Sequence, residues 1–358
     1  MVLVCMSNAV YATHRDTTQR FPLYQECTHP GKYEPIGVLA SCCTGKGDWT
    51  FSYAYMDMYY KGNKMGTEKV SDGIVYQQDA YMMSPGIMNM QTHMLMGMYG
   101  ISNRFSTTLI LNYNMNNMTM HPMPADLMNT LTGMTMGSIY MPSSSHASGI
   151  GDSKIYVMYK LRQECRYNVI VSGGLSIPTA STTINGVTMM GVNQRLPYLM
   201  QLGTGTWDLM PGITYFGQRN VSAVHLLSYG AEAGAVIRPA NNARGYSYGN
   251  QYNITAWVSL KFHQWISCSA RLQASSQGKI TGFDPAIYPL MYYDPGSNPG
   301  NYGGQSAVAY LGVNFYINKG SIKDLRLLAE YGAPVYQNLH GTQLSLYGTL
   351  QAGVKYSF

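Results

Sequence analysis

A methionine-rich stretch contains the residues of this chain best suited to bind a soft metal ion. The segment "NMNNMTMHPMP" brings Met118, Met120, His121 and Met123 close together. Thioether and imidazole groups are ligands that Cu(I) and similar ions accept readily. Methionine is also a flexible apolar residue that fills gaps in packed or lipid-facing positions. Copper binding and apolar packing are therefore both open, and copper is the one cofactor that the sequence suggests.

Four of the six cysteines are candidates for disulfides. Cys27, Cys42 and Cys43 precede the first predicted strand, and Cys165 lies in a short turn. A bridge from Cys27 to Cys42 or Cys43 would close a loop of roughly 15 residues, worth about 3 kcal/mol in the chain-entropy model. Disulfides persist in oxidising compartments, and the pairing cannot be read from sequence. A soft-metal site at Cys42 and Cys43 is the alternative.

A cluster of hydroxyl groups beside a histidine raises the question of catalysis. The stretch "SSSHASG" places Ser143, Ser144 and Ser145 directly before His146. A nucleophile and its base are brought together by the fold and are seldom neighbours in sequence. A polar loop is therefore expected here, and no catalytic residue is predicted.

Charge and hydropathy exclude two classes of protein. Charged residues make up only 11% of the chain, and the formal net charge of +6 is spread along it. Without a basic block, a nucleic-acid partner is not expected. No run of about 18 apolar residues is present, so a transmembrane helix is excluded. The residues above must therefore be positioned by other elements.

Twelve segments carry apolar side chains at every second position, as in the final stretch "GTLQAGVKYSF". This alternation predicts β-strands with one apolar and one polar face. The apolar phases run over residues 49–55, 94–98, 109–115, 155–161, 169–177, 209–215, 227–237, 254–262, 266–274, 309–315, 325–331 and 350–358.

Short and long connections alternate along the chain. The short ones are "GISNR", "RQEC", "GQRN", "HQ" and "NKGSIKD", and the long ones are 59–88, 118–150, 179–205, 238–249, 277–305 and 336–344. An even strand number with this alternation is typical of outer-membrane barrels, and closure satisfies every backbone group in lipid. The sequence therefore predicts an all-β protein, with residues 48–358 forming a monomeric, transmembrane antiparallel up-and-down β-barrel of about 12 strands (about 10 to 14) in a bacterial outer membrane.

The apolar face of each strand is expected to face lipid and the polar face a wet lumen. This phase places Met94, Met96 and Met98 toward lipid, together with Cys268. It places Met56, Met58 and His93 in the lumen, where they suggest a thioether path. The charged residues are expected either to pair and shape the field of the pore or to be solvated in it. The lumen-lining candidates are Lys154, Lys160, Glu232, Lys261, Arg271, Arg326, Glu330 and Lys355.

The two ends of the chain resemble processing and insertion signals. Residues 1–12, "MVLVCMSNAVYA", end in a small-x-small pattern with cleavage predicted after Ala12, so we interpret them as the remnant of a secretion signal. Residues 13–47 lack the strand pattern and are expected either to plug the pore or to lie in the periplasm as a tail. Phe358, with Tyr356 and Val354 before it, resembles the C-terminal signal that barrel-insertion machinery recognises. Membrane lipid, lipopolysaccharide, that machinery and a small-molecule solute are the expected partners.

Several segments resemble the outer-membrane transporters named after the meta-pathway of phenol degradation. They are "GDWTFSYAYMDMYYKGN", "SGIGDSKIYVMYKL", "GGLSIPTAST", "PYLMQLGTGTWDLMPGITYFGQ" and "LAEYGAPVYQNLHGTQL", which together reach from about residue 45 to the end. The resemblance implies a porin-like or transporter-like barrel, supplies no catalytic residues and does not identify phenols as cargo.

We therefore expect a channel or transporter for a small solute, hydrophobic or aromatic solutes included, with selectivity set by lumen charges and loops. One alternative is a methionine-rich surface protein that handles soft metal ions such as Cu(I). A second is a closed structural barrel or a cell-surface assembly component. An outer-membrane hydrolase that depends on His146 is the most distant.

Overall fold

The computed structural model describes residues 33–38, 45–77, 79–132, 144–164, 166–188, 190–221, 225–317, 319–320 and 322–358. Several predictions lie outside these residues. They are the signal remnant 1–12, most of segment 13–47, Ser143 and the disulfide candidates Cys27, Cys42, Cys43 and Cys165.

Strands account for most of the described chain. They are β1 (Trp49–Gly66), β2 (Glu68–Val70), β3 (Met83–Gly100), β4 (Phe105–Pro122), β5 (Ser144–Ile150), β6 (Ser153–Gln163), β7 (Tyr167–Ile177), β8 (Asn185–Thr188), β9 (Gly191–Arg195), β10 (Asp208–Asn220), β11 (Leu226–Val236), β12 (Tyr246–Ser247), β13 (Gln251–His263), β14 (Ile266–Gln277), β15 (Thr281–Gly282), β16 (Gly304–Tyr316) and β17 (Leu325–Ser357).

The helices all lie in the connections between strands. They are α1 (Asp72–Gln77), α2 (Ala125–Thr132) and the 3₁₀ helices Tyr198–Met200, Tyr288–Tyr292 and Pro295–Ser297. Within the described residues, every helix is too short or too polar to cross a bilayer.

The strands close into one antiparallel barrel, which confirms the predicted fold class. Each wall strand pairs with the next wall strand along the chain, in the order β1, β3, β4, β6, β7, β10, β11, β13, β14, β16 and β17, and β5 and β6 together occupy one position beside β4. The long element β17 pairs with β16 through its first half and with β1 through its second half, antiparallel in both cases. The chain must therefore reverse within β17, where Gly341 has a φ of +65°. When the two arms of β17 are counted separately and β5 with β6 as one, twelve strands form the barrel wall in the described chain.

Short turns gather at one end of the barrel, the turn end, and long connections at the other, the loop end. The turn between β13 and β14 has only Gln264 and Trp265 between its paired residues. The predicted long connection 336–344 is wrong, because β17 reverses there in a tight turn. The connections after β1 and β4 are shorter than predicted, since β1, β3 and β4 each extend over 18 residues. The connections after β7 and β11 span 178–207 and 237–250 and are slightly longer than predicted.

The apolar phase faces outward in most strands, as predicted. Leu311 and Ile254, for example, are 73% and 63% exposed and stand on the lipid side. The phase predicted for β3 is wrong: Leu95 is 58% exposed, whereas Met98 is 6% exposed and Met96 lines an internal cavity. Residues 94–99 are apolar on both faces, so alternation could not assign the side. Met94, Met96 and Met98 therefore share the inward face of β3.

Candidate transport site in the barrel lumen

Residues 33–38 lie inside the barrel near its turn end. The carbonyl oxygen of Glu34 accepts hydrogen bonds from Asn314 Nδ2 and Arg326 Nη2, both at 3.2 Å. The ammonium of Lys261 lies 5.4 Å from the centre of the Tyr33 ring. These partners stand on β13, β16 and β17, so the segment reaches across several strands of the lumen wall.

The other end of this segment is packed against apolar and charged side chains. Val38 forms a buried cluster with Phe216 and Trp257. Gly37 passes so close to the guanidinium of Arg271 that an added Cβ would overlap it. The close approach therefore requires glycine at position 37.

A small cavity remains between the segment and the wall. Its volume is about 60 Å³, less than half of the roughly 150 Å³ of an apolar cavity that binds benzene. An aromatic solute therefore does not fit while residues 33–38 are in place. The lining includes Glu34, Pro35, Ile36, Val38, Thr50, Ser52, Ala54, Met96, Met98, Thr108, Arg326, Leu328 and Lys355.

A fully buried ion pair supports the wall beside Gly37. Arg271 donates from Nε to Glu330 Oε1 at 3.0 Å and from Nη2 to Glu330 Oε2 at 2.7 Å, and both side chains are 1% exposed. Arg271 Nη1 also donates to Gln273 Oε1 at 2.8 Å, and the guanidinium carbon lies 3.7 Å from the centre of the Tyr310 ring. Because the guanidinium is held in two directions and stacked, it forms a rigid floor for the segment.

The connection between β7 and β10 folds into the loop end of the lumen. Asn114 and Asn116, on the inner face of β4, donate to the carbonyl oxygens of Leu202 and Leu199 at 2.8 and 3.1 Å. Met200 is fully buried in the largest apolar cluster. The cluster contains Met83, Met88, Met118, Met120, Ala147, Leu196, Met200, Leu202 and Leu344.

Buried carboxylates fix the same connection at both of its ends. Asp152 accepts hydrogen bonds from the amides of Ala180 at 3.1 Å and Thr204 at 2.7 Å. Asp208 lies 3.3 Å from Arg238 Nε. Strand alternation does not identify these three charged residues, because each stands at a strand end, outside the alternating segments.

Tyrosines form a second buried cluster above the first. Tyr198, Tyr246 and Tyr302 pack together with Ile280 and Ile287. Burial raises the pKa of Tyr198 and of Tyr302 above the usual value, so both phenols stay neutral. Burial also raises the pKa of Asp294, in the neighbouring connection, to about 6.

The structure does not gather the four predicted metal ligands. Met118 and Met120 point into the apolar cluster of the loop end. His121 is on the opposite face, with Nδ1 2.8 Å from Asp72 Oδ2, and Met123 packs with Tyr76 and Met128. Strand alternation separates them, because residues one apart face opposite sides.

Two other histidines also lie outside the lumen. His93, expected inside, is on the outer face with Nδ1 2.7 Å from Tyr53 Oη, so that prediction is wrong together with the phase of β3. His146 Nδ1 lies 2.6 Å from Asn117 Oδ1. Within the described residues, no group of three or more His, Cys, Asp or Glu side chains is arranged to hold a metal ion. Cys268 is exposed on β14.

The predicted lumen-lining residues are distributed along the inner face. Lys160, Arg271, Arg326 and Glu330 are buried, whereas Lys154, Glu232, Lys261 and Lys355 are partly exposed. Thr214 donates to Glu232 at 3.4 Å. The structure joins Arg271 to Glu330, and it brings Arg326 and Lys355 to the same cavity. The sequence pattern alone could predict that these residues face the lumen, but it could not predict which of them contact each other.

The predicted insertion signal forms the seam of the barrel. Trp49 and Phe358 exchange two backbone hydrogen bonds of 2.9 Å. The ring centres of Phe358 and Tyr356 are 5.6 Å apart, and Val354 pairs with Tyr53 of β1.

Comparison with solved structures supports the fold. A crystal structure of an outer-membrane channel from Pseudomonas putida F1 is similar, with a TM-score of 0.55 and 12% identity over 92% of this chain and 100% of that one. A Pseudomonas aeruginosa FadL homologue has a TM-score of 0.39 and 12% identity over 93% and 97% of the two chains. The KdgM porin has a TM-score of 0.39 and 9% identity over 86% and 99%.

No family model and no curated protein matches the sequence. The resemblance to the phenol meta-pathway transporters therefore stays a prediction. A closed β-barrel with an apolar outer face satisfies its backbone groups in lipid. Together with the shared fold of the Pseudomonas putida channel, this makes the chain a bacterial outer-membrane β-barrel.

Proposed function

We propose that this protein is a gated outer-membrane channel for small solutes. The observation that carries the proposal is the short segment 33–38 inside the lumen, which fills space that wall side chains leave empty. Eight-stranded barrels are filled by their own side chains, whereas larger barrels enclose a passage. Because residues 33–38 are not part of any wall strand, they can leave the lumen without unfolding the barrel wall. The resemblance to the meta-pathway transporters supports the same class of function.

The position of the segment, on the inner side of the wall, favours a removable closure. Its polar contacts with the wall include two hydrogen bonds to the Glu34 carbonyl and the Lys261–Tyr33 contact. The wall behind it is held independently by the Arg271–Glu330 pair. Withdrawal of the segment would therefore leave the wall charges in place to select solutes.

Conductance in planar bilayers tests this proposal. Gly37→Leu should displace the segment, because the new side chain overlaps the Arg271 guanidinium, and should raise the open probability over that of the wild type. Gly173→Leu is the matched control, since a Cβ there meets no atom within 4 Å. A closed structural barrel would give no current in any of the three proteins, and that result would contradict the proposal.

A second candidate function is the handling of a soft metal ion at the loop end. Met83, Met118 and Met120 line one small pocket, and thioether sulfurs are ligands that suit Ag(I) or Cu(I). Titration of the purified protein with Ag(I) tests it. Binding should be lost in a Met83→Leu, Met118→Leu, Met120→Leu variant and kept in Met65→Leu, an exposed methionine.

A further inference from the structure

The cavity at the turn end has two chemically different sides. Met96 and Met98 contribute polarisable thioethers from β3, and Arg326 and Lys355 contribute cations from β17. Methionine sulfur attracts aromatic rings by about 0.3–1.5 kcal/mol, and Arg and Lys groups line pores that pass anions. We infer that this cavity selects small organic anions with an aromatic or otherwise apolar body. The inference rests on the proposed channel function and names its class of solute.

The segment that borders the cavity has the same chemistry as the inferred solute. Glu34 and Ile36 both line the cavity, so an acidic residue and an apolar side chain lie there together. Glu34 is 2% exposed, and its carbonyl oxygen accepts from Arg326. When the segment leaves, the Glu34 carboxylate leaves with it and the cavity keeps the two cations. The open lumen is therefore more attractive to anions than the closed one.

Lys355 is the cation of this cavity that can be altered with least damage to the fold. Its side chain is partly exposed, and it forms no ion pair within the part of the chain that the structure describes. Arg271, in contrast, is held by Glu330 and supports the wall. Removing the charge of Lys355 therefore changes the field of the cavity while the wall stays intact.

Bi-ionic reversal potentials in planar bilayers test the inference with three permanently charged probes. Benzenesulfonate carries a ring and an anion, methanesulfonate carries the same anion without the ring, and benzyltrimethylammonium carries a ring and a cation. We expect benzenesulfonate to be the most permeant although methanesulfonate is smaller, and benzyltrimethylammonium to be the least. A permeability order that follows size alone, or a preference for the cation, would overturn the inference.

Two pairs of variants assign the effect to the cavity. Lys355→Gln should lower the anion-to-cation permeability ratio by about fivefold, the equivalent of one close charge in water, whereas the exposed Lys46→Gln should leave it unchanged. Met96→Thr should remove the preference for benzenesulfonate over methanesulfonate, and Met65→Thr should keep it. Equal effects of test and control variants would overturn the assignment.

Gly37→Leu separates failure of this inference from failure of the channel proposal. Absence of current in both the wild type and Gly37→Leu would overturn the channel function and this inference with it. Current with no dependence on the charge or the ring of the probe would overturn the inference alone.

Discussion

The two ends of the lumen hold chain segments that are fixed in different ways. At the loop end, the connection between β7 and β10 packs into a cluster of nine buried residues and is tied by buried carboxylates. At the turn end, residues 33–38 rest on a wall that is complete without them. The loop-end connection belongs to the folded core, whereas residues 33–38 occupy a site on the wall. We expect perturbations of the wall and of the loop end to affect stability, and perturbations of the segment to affect opening.

The largest loss of stability is expected from a substitution in the barrel wall behind the segment. Glu330→Ala leaves the Arg271 guanidinium buried without its carboxylate, which typically costs about 3–5 kcal/mol. Urea unfolding in detergent measures this loss, with the exposed Glu68→Ala as control. Replacing both Arg271 and Glu330 by methionine should restore most of the stability. A single Glu330→Ala variant as stable as the wild type would contradict the rigid wall.

The loop-end connection should respond to truncation as a protein core does. Met200 is fully buried, and truncation of such a side chain costs about 2–5 kcal/mol. Met200→Ala should therefore make residues 178–207 sensitive to external protease, whereas Met190→Ala, at an exposed position, should not. Equal protease resistance of the two variants would place this connection outside the core.

The connection between β14 and β16 should loosen as the pH rises. Burial raises the pKa of Asp294 from 3.8 to about 6, so the folded connection favours the protonated form. Its stabilising contribution is fully present below about pH 4 and is lost as the pH rises through 6, a difference of about 3 kcal/mol. Hydrogen exchange of residues 283–303 at pH 4.5 and 7.5 measures it. Asp294→Asn should flatten the dependence, and an unchanged dependence would contradict this assignment.

The smallest change in free energy is expected from a substitution in the segment itself. Val38→Ala removes part of one buried apolar side chain, about 1 kcal/mol of contact with Phe216 and Trp257. It should raise the open probability by about fivefold without lowering the stability of the barrel. Val192→Ala, at a position 75% exposed, serves as control. A loss of barrel stability equal to that of Met200→Ala would remove the distinction between the two ends.

Strand alternation predicted the barrel because its outer face must be apolar at every second residue. Alternation gave the wrong face in β3, where methionines stand on the inner face and Leu95 and Tyr99 on the outer face. Both faces are apolar there, so the sequence shows no alternation between polar and apolar residues. It also could not pair Arg271 with Glu330 or Glu34 with Arg326. Such contacts depend on strand register and on the path of residues 33–38, for which the local sequence carries no periodic signal.

The seam between β1 and β17 has a consequence for folding kinetics. The Thr50 hydroxyl lies 2.9 Å from that of Ser357, which is 307 positions later in the chain. Contacts of such high sequence separation form slowly because loop-closure entropy is lost before they stabilise the fold. Until the last arm of β17 arrives, the edge of β1 is unpaired and open to other chains. Rapid dilution from denaturant should therefore give aggregates unless detergent or lipid is present beforehand.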